Sequence, residues 1–300
     1  MVNDTRVKVG AQIKYLGLHI DETWRFEQHL QKLGPRLDAA ANSLSRVMPN
    51  LGGLCGRTRK LYANVVNPIA LYGAPIWASA LIDNSKATSV LRKTQRRMAI
   101  RAIRGYRTVS RAAATLLAGM PPIELLAGSY AMAYERVATL KAEVVQVTDR
   151  ARRMINLQIK RAVREEWRLW LEEPTCAGQR TVGASLPHLE GWLDRPCARA
   201  SFRTSQVLTG HGCFGEYLHR IGRELTPQCH HCEVETRDTA QHTLDSCSAW
   251  DAQRRVLSDC IGVDLSLPAV VEAIMEREDA WEAFSSFCEH VMLQKEEAER

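Results

Sequence analysis

Apolar residues recur every three or four positions along most of this chain, the spacing that lines up one face of a helix. Phe26, Leu30, Leu33 and Leu37 set the pattern, and Pro49, Gly52 and Gly53 break it. A second helical stretch covers Arg57 to Val66 and stops near Pro68. The punctuated apolar run Leu71-Tyr72-Gly73-Ala74-Pro75-Ile76-Trp77 predicts a kinked, buried helix. Val90 to Arg104 is helical with Gly105 as its stop, and a long stretch follows from Pro122 to about Leu171. Only the beginning differs. Val7-Lys8-Val9 and Ile13 to Ile20 alternate apolar and other residues around Gly10, which predicts a short β-hairpin.

The expected fold is therefore mainly α, with a hairpin over 1–22 and a helical domain over 23–173. Residues 174–196, with Gly178, Gly183, Pro187 and Gly191, form the best linker. A C-terminal module over 197–300 follows, with a helix pair at about 198–222, a cysteine cluster, and two or three acidic helices. There is no internal repeat.

Charge sharpens this division. Residues 1–150 hold 22 Lys and Arg against 10 Asp and Glu, whereas residues 229–300 hold 6 against 16. A basic body with an acidic end suggests a polyanion partner for the body. No run approaches the roughly 18 apolar residues of a membrane helix. Residues 1–10 carry charge where a secretory signal has an apolar core, so an intracellular protein without a membrane partner is expected. In a reducing compartment Cys55, Cys176, Cys197, Cys213 and Cys260 read as small buried groups.

Cys229, Cys232, His242 and Cys247 are a different case. Cys-x2-Cys places two thiolates on one side of a tight turn, and His-x4-Cys supplies two more donors from a following turn or helix. Four such donors with no open position describe one structural zinc ion, not a catalytic one. The plainer alternative is three reduced cysteines and an ordinary histidine. His230 and His231 are alternative nitrogen donors within the turn, and His211-x-Cys213 is too isolated for a second site.

Leu91 to Arg104 contains six basic residues and no acid. At about 100° per residue, Leu91, Met98, Ala99, Ala102 and Ile103 gather on one side. Arg92, Lys93, Arg96, Arg97, Arg101 and Arg104 cover the other, and Arg107 extends the charge. Such an array suits a phosphate backbone, although a solvated face is the commoner fate of charge runs.

Three groups of residues, in order, resemble one family. Lys14-Tyr15-Leu16-Gly17-Leu18-His19-Ile20-Asp21 with Trp24 resembles the strand after the palm active site of non-LTR reverse transcriptases. Leu71 to Trp77, the Arg-rich helix, Gly105 to Ser110 and Leu117 to Leu125 resemble the thumb, and the Cys229–Cys247 cluster resembles the CCHC motif of these Pol proteins. The resemblance covers most of residues 7–255 and is strongest to type-1 insect elements that insert into ribosomal RNA genes.

It implies a C-terminal fragment of a Pol polyprotein whose parent is an RNA-directed DNA polymerase with an N-terminal endonuclease, acting by target-primed reverse transcription in the nucleus. The implied partners are element RNA, target DNA, and the polymerase and endonuclease domains. Residues 1–22 would be the end of a palm, Tyr15, Leu16 and Gly17 a primer-grip-like turn, and 23–173 a thumb-like domain.

The chain departs from the family in its carboxylates. Polymerase chemistry needs acids that hold divalent metal, and no Asp-Asp pair occurs here. Mg2+ is therefore expected only in the parent polymerase, and this segment is expected to bind and position nucleic acid without catalysing. The alternative is a stand-alone, domesticated zinc-dependent nucleic-acid binder; a helical protein-interaction scaffold is more remote.

Overall fold

The computed structural model describes residues 10–47, 64–82, 84–143, 146–194, 201–232 and 236–299. It is mostly helical, with one two-stranded antiparallel sheet. The chain forms two compact units: residues 1–51, 61–95 and 121–166 in the first, and 52–60, 96–120 and 167–300 in the second.

In the first unit, β1 (Gln12–Tyr15) pairs with β2 (Leu18–Asp21), Gln12 opposite Asp21 and Tyr15 opposite Leu18. The turn is Leu16-Gly17, with φ of 46° and 85°. Two successive left-handed residues give the type I′ geometry whose twist matches a two-residue hairpin. The bend thus falls at 16–17 and not at Gly10, and Val7 to Val9 lie outside the described residues. Alternation marks strands, but only a residue tolerant of positive φ fixes where they turn.

Asp21 ends β2 and starts the helical part. Its carboxylate accepts from the amides of Thr23, Arg25 and Phe26 at 2.7–3.1 Å. Burial pushes its pKa up, but the Thr23 hydroxyl, which also donates to it, and these amides outweigh that and hold it below its ordinary value. Helix α1 (Glu27–Val47) then buries Leu30, Leu33 and Leu37, with Phe26 buried just before it. Helical residues 64–70 (α2) run past Pro68, the expected stop. Of the apolar segment 71–77, residues 71–73 are a turn and only the short α3 (Ala74–Trp77) is helical, with Tyr72 and Ile76 exposed. Trp77 is fully buried, its indole N–H donating to the Tyr72 carbonyl at 2.9 Å. The stretch 51–63, including most of the helix expected from Arg57, lies outside the described residues.

Helix α4 (Ser85–Ile103) belongs to this unit as far as Gln95. Gln95 is buried and binds twice, donating to the Pro121 carbonyl and accepting from the Ile123 amide, which seats the start of α6 (Ile123–Ala142). The helical stretch expected from Pro122 to about Leu171 is two helices. α6 ends at Ala142, and α7 (Asp149–Glu172) starts with the Thr148 hydroxyl accepting from the Ala151 amide. The intervening 143–148 contains no Gly or Pro; its only signals are a β-branched-rich run and the capping threonine.

The second unit takes α4 from Arg96 onward and α5 (Arg111–Ala118), capped by Ser110 at its start and left-handed Gly119 at its end. Residues 174–196, expected as a linker, hold α8 (Gln179–Ser185), a 3-10 turn (Leu186–His188) and α9 (Leu189–Asp194) within the described part. Val182 and Leu189 are buried, and α8 packs on α5. Gly178 sits there because a Cβ would lie 2.4 Å from the Ser110 hydroxyl, at a φ of 90°. Close approach, not flexibility, explains that glycine.

The expected helix pair is α10 (Phe202–Thr209), opened by a Ser201–Thr204 capping box, and α11 (Gly215–Arg220). Helix α12 (Ala240–Asp245) precedes α13 (Asp251–Ile261), whose charges balance, and the acidic helices α14 (Leu267–Glu276) and α15 (Glu278–Ala298). α15 packs against α10, α13 and α14, and its Phe284, Phe287, Val291 and Met292 are all buried. Among the described residues no single helix is long and apolar enough to cross a membrane.

Candidate metal centre and basic helix face

The cysteine–histidine segment folds as a tight loop against a helix. Gln228 and Arg237 form an antiparallel bridge, the Cys229 amide donates to Thr236, and the Asp238 amide donates to Pro227. Thr239 then caps α12, its hydroxyl accepting from the His242 amide at 2.9 Å. The helix carries His242 on its first turn, and the Cys247 amide bonds the His242 carbonyl just beyond its end. Local hydrogen bonds thus bring four distant donors together.

The Cys229 and Cys247 sulfurs are 3.8 Å apart, and the Cys232 sulfur is 3.4 Å from His242 Nε2. All four donor atoms lie within 4.8 Å of one another. With metal–sulfur and metal–nitrogen bonds of about 2.3 and 2.0 Å, a tetrahedron has edges of about 3.5–3.8 Å. The cluster can hold one metal ion, and its thiolate-rich, closed donor set fits structural zinc.

His242 Nδ1 lies 3.1 Å from the Ser246 hydroxyl, which leaves Nε2 toward the cluster. Burial pushes the Cys247 thiol up to about 12 and raises Cys229, so a bound cation must displace their protons. His230 and His231 are not donors here. His230 is exposed, 4.0 Å from the Glu224 carboxylate, and the His231 ring packs on Trp250 at 5.3 Å.

Behind the loop lies an ion pair that local sequence does not reveal. Lys295, from α15, is fully buried and donates to both oxygens of buried Asp238 at 2.8 and 2.9 Å. Asp238 also accepts from the Gly215 amide and the Thr243 hydroxyl. Lys295 lies 5.6 Å from the Phe214 ring centre. The carboxylate ties the loop, α11, α12 and α15 at one point, with its charge and its remaining lone pairs matched.

The basic helix is also more differentiated than its sequence. Leu91, Met98, Ala99, Ala102 and Ile103 are buried, as the periodicity requires. The opposite side splits into two rows one residue apart. Arg92 and Arg96, spaced i, i+4, turn back on the protein. Arg92 pairs with Glu124, and the Arg96 guanidinium donates to the Val109 carbonyl at 2.7 and 2.9 Å and to that of Arg107. Lys93, Arg97 and Arg101 form the neighbouring i, i+4, i+8 row and are exposed, as are Arg104 and Arg107.

The loop that Arg96 holds carries a further network. Thr108 Oγ1 lies 2.8 Å from His211 Nδ1 and 2.7 Å from the Tyr217 hydroxyl. Burial, with Arg220 and Arg96 nearby, lowers the His211 pKa to about 4. His211 is therefore neutral and structural. In the hairpin, Tyr15 and Leu16 are exposed, the Tyr72 hydroxyl donates to the Leu16 carbonyl, and a Cβ on Gly17 would meet the Tyr72 ring at 3.5 Å.

These features define a mainly helical chain with a Cys3His centre and a helix presenting a row of cations. Four curated proteins match it over most of its length, all from one kind of mobile element. A 115 kDa protein in type-1 retrotransposable element R1DM of Drosophila melanogaster is 26% identical over 292 residues, covering 94% of this chain and 28% of that protein. The Pol polyprotein from R1 element 4 of Nasonia vitripennis is 23% identical over 287 residues, 94% of this chain and 71% of the relative. That of element R1 of Bradysia coprophila is 26% identical over 260 residues, 84% and 25%.

The chain is related to the Pol proteins of type-1 (R1) non-LTR retrotransposable elements. It spans little more than a quarter of the Drosophila relative. No family model and no solved structure matches it.

Proposed function

We propose that this chain is a nucleic-acid-positioning part of an R1-type Pol protein, gripping element RNA or target DNA without itself catalysing. The row Lys93, Arg97 and Arg101, continued past the helix end by Arg104 and Arg107, carries the reading, because these exposed cations recur about every turn along one face of α4. Arg92 and Arg96 support it as positioning residues that hold the helix and its following loop. The Cys229, Cys232, His242 and Cys247 centre takes one zinc ion that fixes the C-terminal module. The Tyr15-Leu16-Gly17 turn and the helices over 23–173 act as a primer-grip-like turn and a thumb for the polymerase and endonuclease of the same polyprotein. Reverse transcription and any Mg2+ belong to that larger protein, which works in the nucleus when it acts on chromosomal DNA.

The test is binding of the chain to unrelated duplexes across a salt series. Replacing Lys93, Arg97 and Arg101 with Ala lowers the slope of log K against log[salt] by about 0.9 per cation on duplex DNA. The loss is similar on every sequence, because phosphate contacts do not specify. Unchanged affinity and slope would remove the row from the binding surface.

A further inference from the structure

A second basic surface lies on α6 and α7, both within the first unit over the stretch concerned. A groove of about 450 Å3 runs between them, lined by Tyr134, Val137 and Lys141 from α6 and by Arg152, Ile155 and Asn156 from α7. Tyr134, Val137 and Lys141 are spaced i, i+3, i+7, and Arg152, Ile155 and Asn156 i, i+3, i+4, so each set shares one helix face. The floor is apolar, with Ile155 buried, while Tyr134 is 64% exposed. Tyr130, 48% exposed, stands one turn before Tyr134, about 6 Å along the helix.

Charge completes the picture. From 149 to 166, α7 carries Arg150, Arg152, Arg153, Lys160, Arg161 and Arg164 against Asp149, Glu165 and Glu166, and the groove end of the helix, with Arg150, Arg152 and Arg153, has Asp149 alone. All of these cations but Arg164 are exposed. An open aromatic ring beside an apolar floor suits the face of an unstacked base. Lys141 and Arg152 at the rim suit its phosphates, and the Asn156 amide can bond a base edge. A duplex, whose bases are stacked inside, offers nothing to Tyr134.

We infer that the α6–α7 groove holds an unpaired nucleotide of a single strand, with Tyr134 stacking on the base and Lys141 and Arg152 contacting the phosphates. The inference rests on the reading of the chain as a nucleic-acid binder, but it assigns a different surface and a different form of the ligand from the α4 row.

Fluorescence anisotropy of the full chain with labelled oligo(dT) of about 20 nucleotides, and with a duplex of similar length, tests it. Tyr134→Ala lowers oligo(dT) affinity about tenfold and leaves duplex affinity unchanged, while Tyr134→Phe retains binding because only the ring is used. Lys141→Glu with Arg152→Glu lowers affinity and flattens the salt dependence. Because these side chains line an open groove, far-ultraviolet circular dichroism of each variant should match the parent.

If Tyr134→Ala and the double reversal leave oligo(dT) binding unchanged while the α4 variant weakens duplex binding, this inference is overturned and the α4 reading stands. The groove would then be left to an apolar helix of a protein partner. If the groove variants weaken oligo(dT) binding and the α4 variant leaves duplex binding unchanged, the α4 reading falls and the groove remains.

Discussion

The metal centre and the basic helix are built on opposite terms. Around Cys229, Cys232, His242 and Cys247, the donors are close enough for a tetrahedron, the histidine is oriented by Ser246, and the adjacent Asp238 is matched by Lys295. Along α4, Arg92 and Arg96 turn back onto the protein, while Lys93, Arg97 and Arg101 are exposed. The first region is built inward, its donors and charges facing one another, whereas the second sets like charges side by side on the surface. The same residue type, arginine, stands on both sides of that distinction one helical step apart.

Metal removal should have the largest effect. Structural zinc in small modules supplies on the order of 10 kcal/mol of apparent folding free energy. Cys229→Ser with Cys232→Ser should therefore abolish a stoichiometric zinc content and loosen residues 227–250 in hydrogen exchange. Helices α1, α6 and α7 should keep their protection; a variant that still holds one zinc per chain would show that other donors make the site.

The buried pair comes next. Lys295→Met strands the Asp238 carboxylate and should cost about 3–5 kcal/mol in chemical denaturation. Asp238→Asn combined with Lys295→Met should recover much of that loss, and equal losses in single and double variants would mean the two residues are not coupled.

Arg96 and Arg101 sharpen the comparison on α4 itself. Arg101→Ala should lower the salt slope of duplex binding by about 0.9 with stability unchanged. Arg96→Ala should lower stability by about 1.5–3 kcal/mol, the worth of charged hydrogen bonds, through the freed 107–109 loop. Exchanged outcomes would reverse the assignment of the two rows.

The smallest effect is in pH. His211 has a folded-state pKa of about 4, below its ordinary 6.5, so folding favours the neutral ring. Its contribution is fully present above pH 6.5 and is lost as pH falls from there toward 4. Thermal melts at pH 7 and pH 5 should show a larger drop for the parent than for His211→Gln, and parallel drops would exclude it as the titrating group.

What could be read from the sequence divides along physical lines. The buried side of α4 and the α1 stripe follow from 3.6-residue periodicity, and the four metal donors from spacing within nineteen residues; all are local signals. The hairpin turn was displaced because alternation is blind to φ, and the α6–α7 break because β-branched residues interrupt a helix without punctuation. Residues 174–196 read as a linker because their glycines and prolines are turn formers, yet Gly178 answers to a hydroxyl 68 residues away in the chain. Nothing near Lys295, set among Gln294, Glu296 and Glu297, distinguishes it from a solvated lysine. Its role follows from a partner 57 positions earlier. Likewise, which arginines of α4 turn inward depends on Glu124 and the carbonyl of Val109, outside the helix.

The distance between Asp238 and Lys295 also sets an order of events at the ribosome. The metal donors emerge within nineteen residues of one another, so the knuckle can capture its ion as soon as Cys247 is clear. Asp238 then waits for 57 more residues, about 3–11 s at typical elongation rates, before its counter-charge is made. During that interval its carboxylate must remain hydrated, and α11 and α12 cannot close over it. An ion taken up at that stage would be held before the module is packed, and packing would await α15, which brings Lys295 to Asp238.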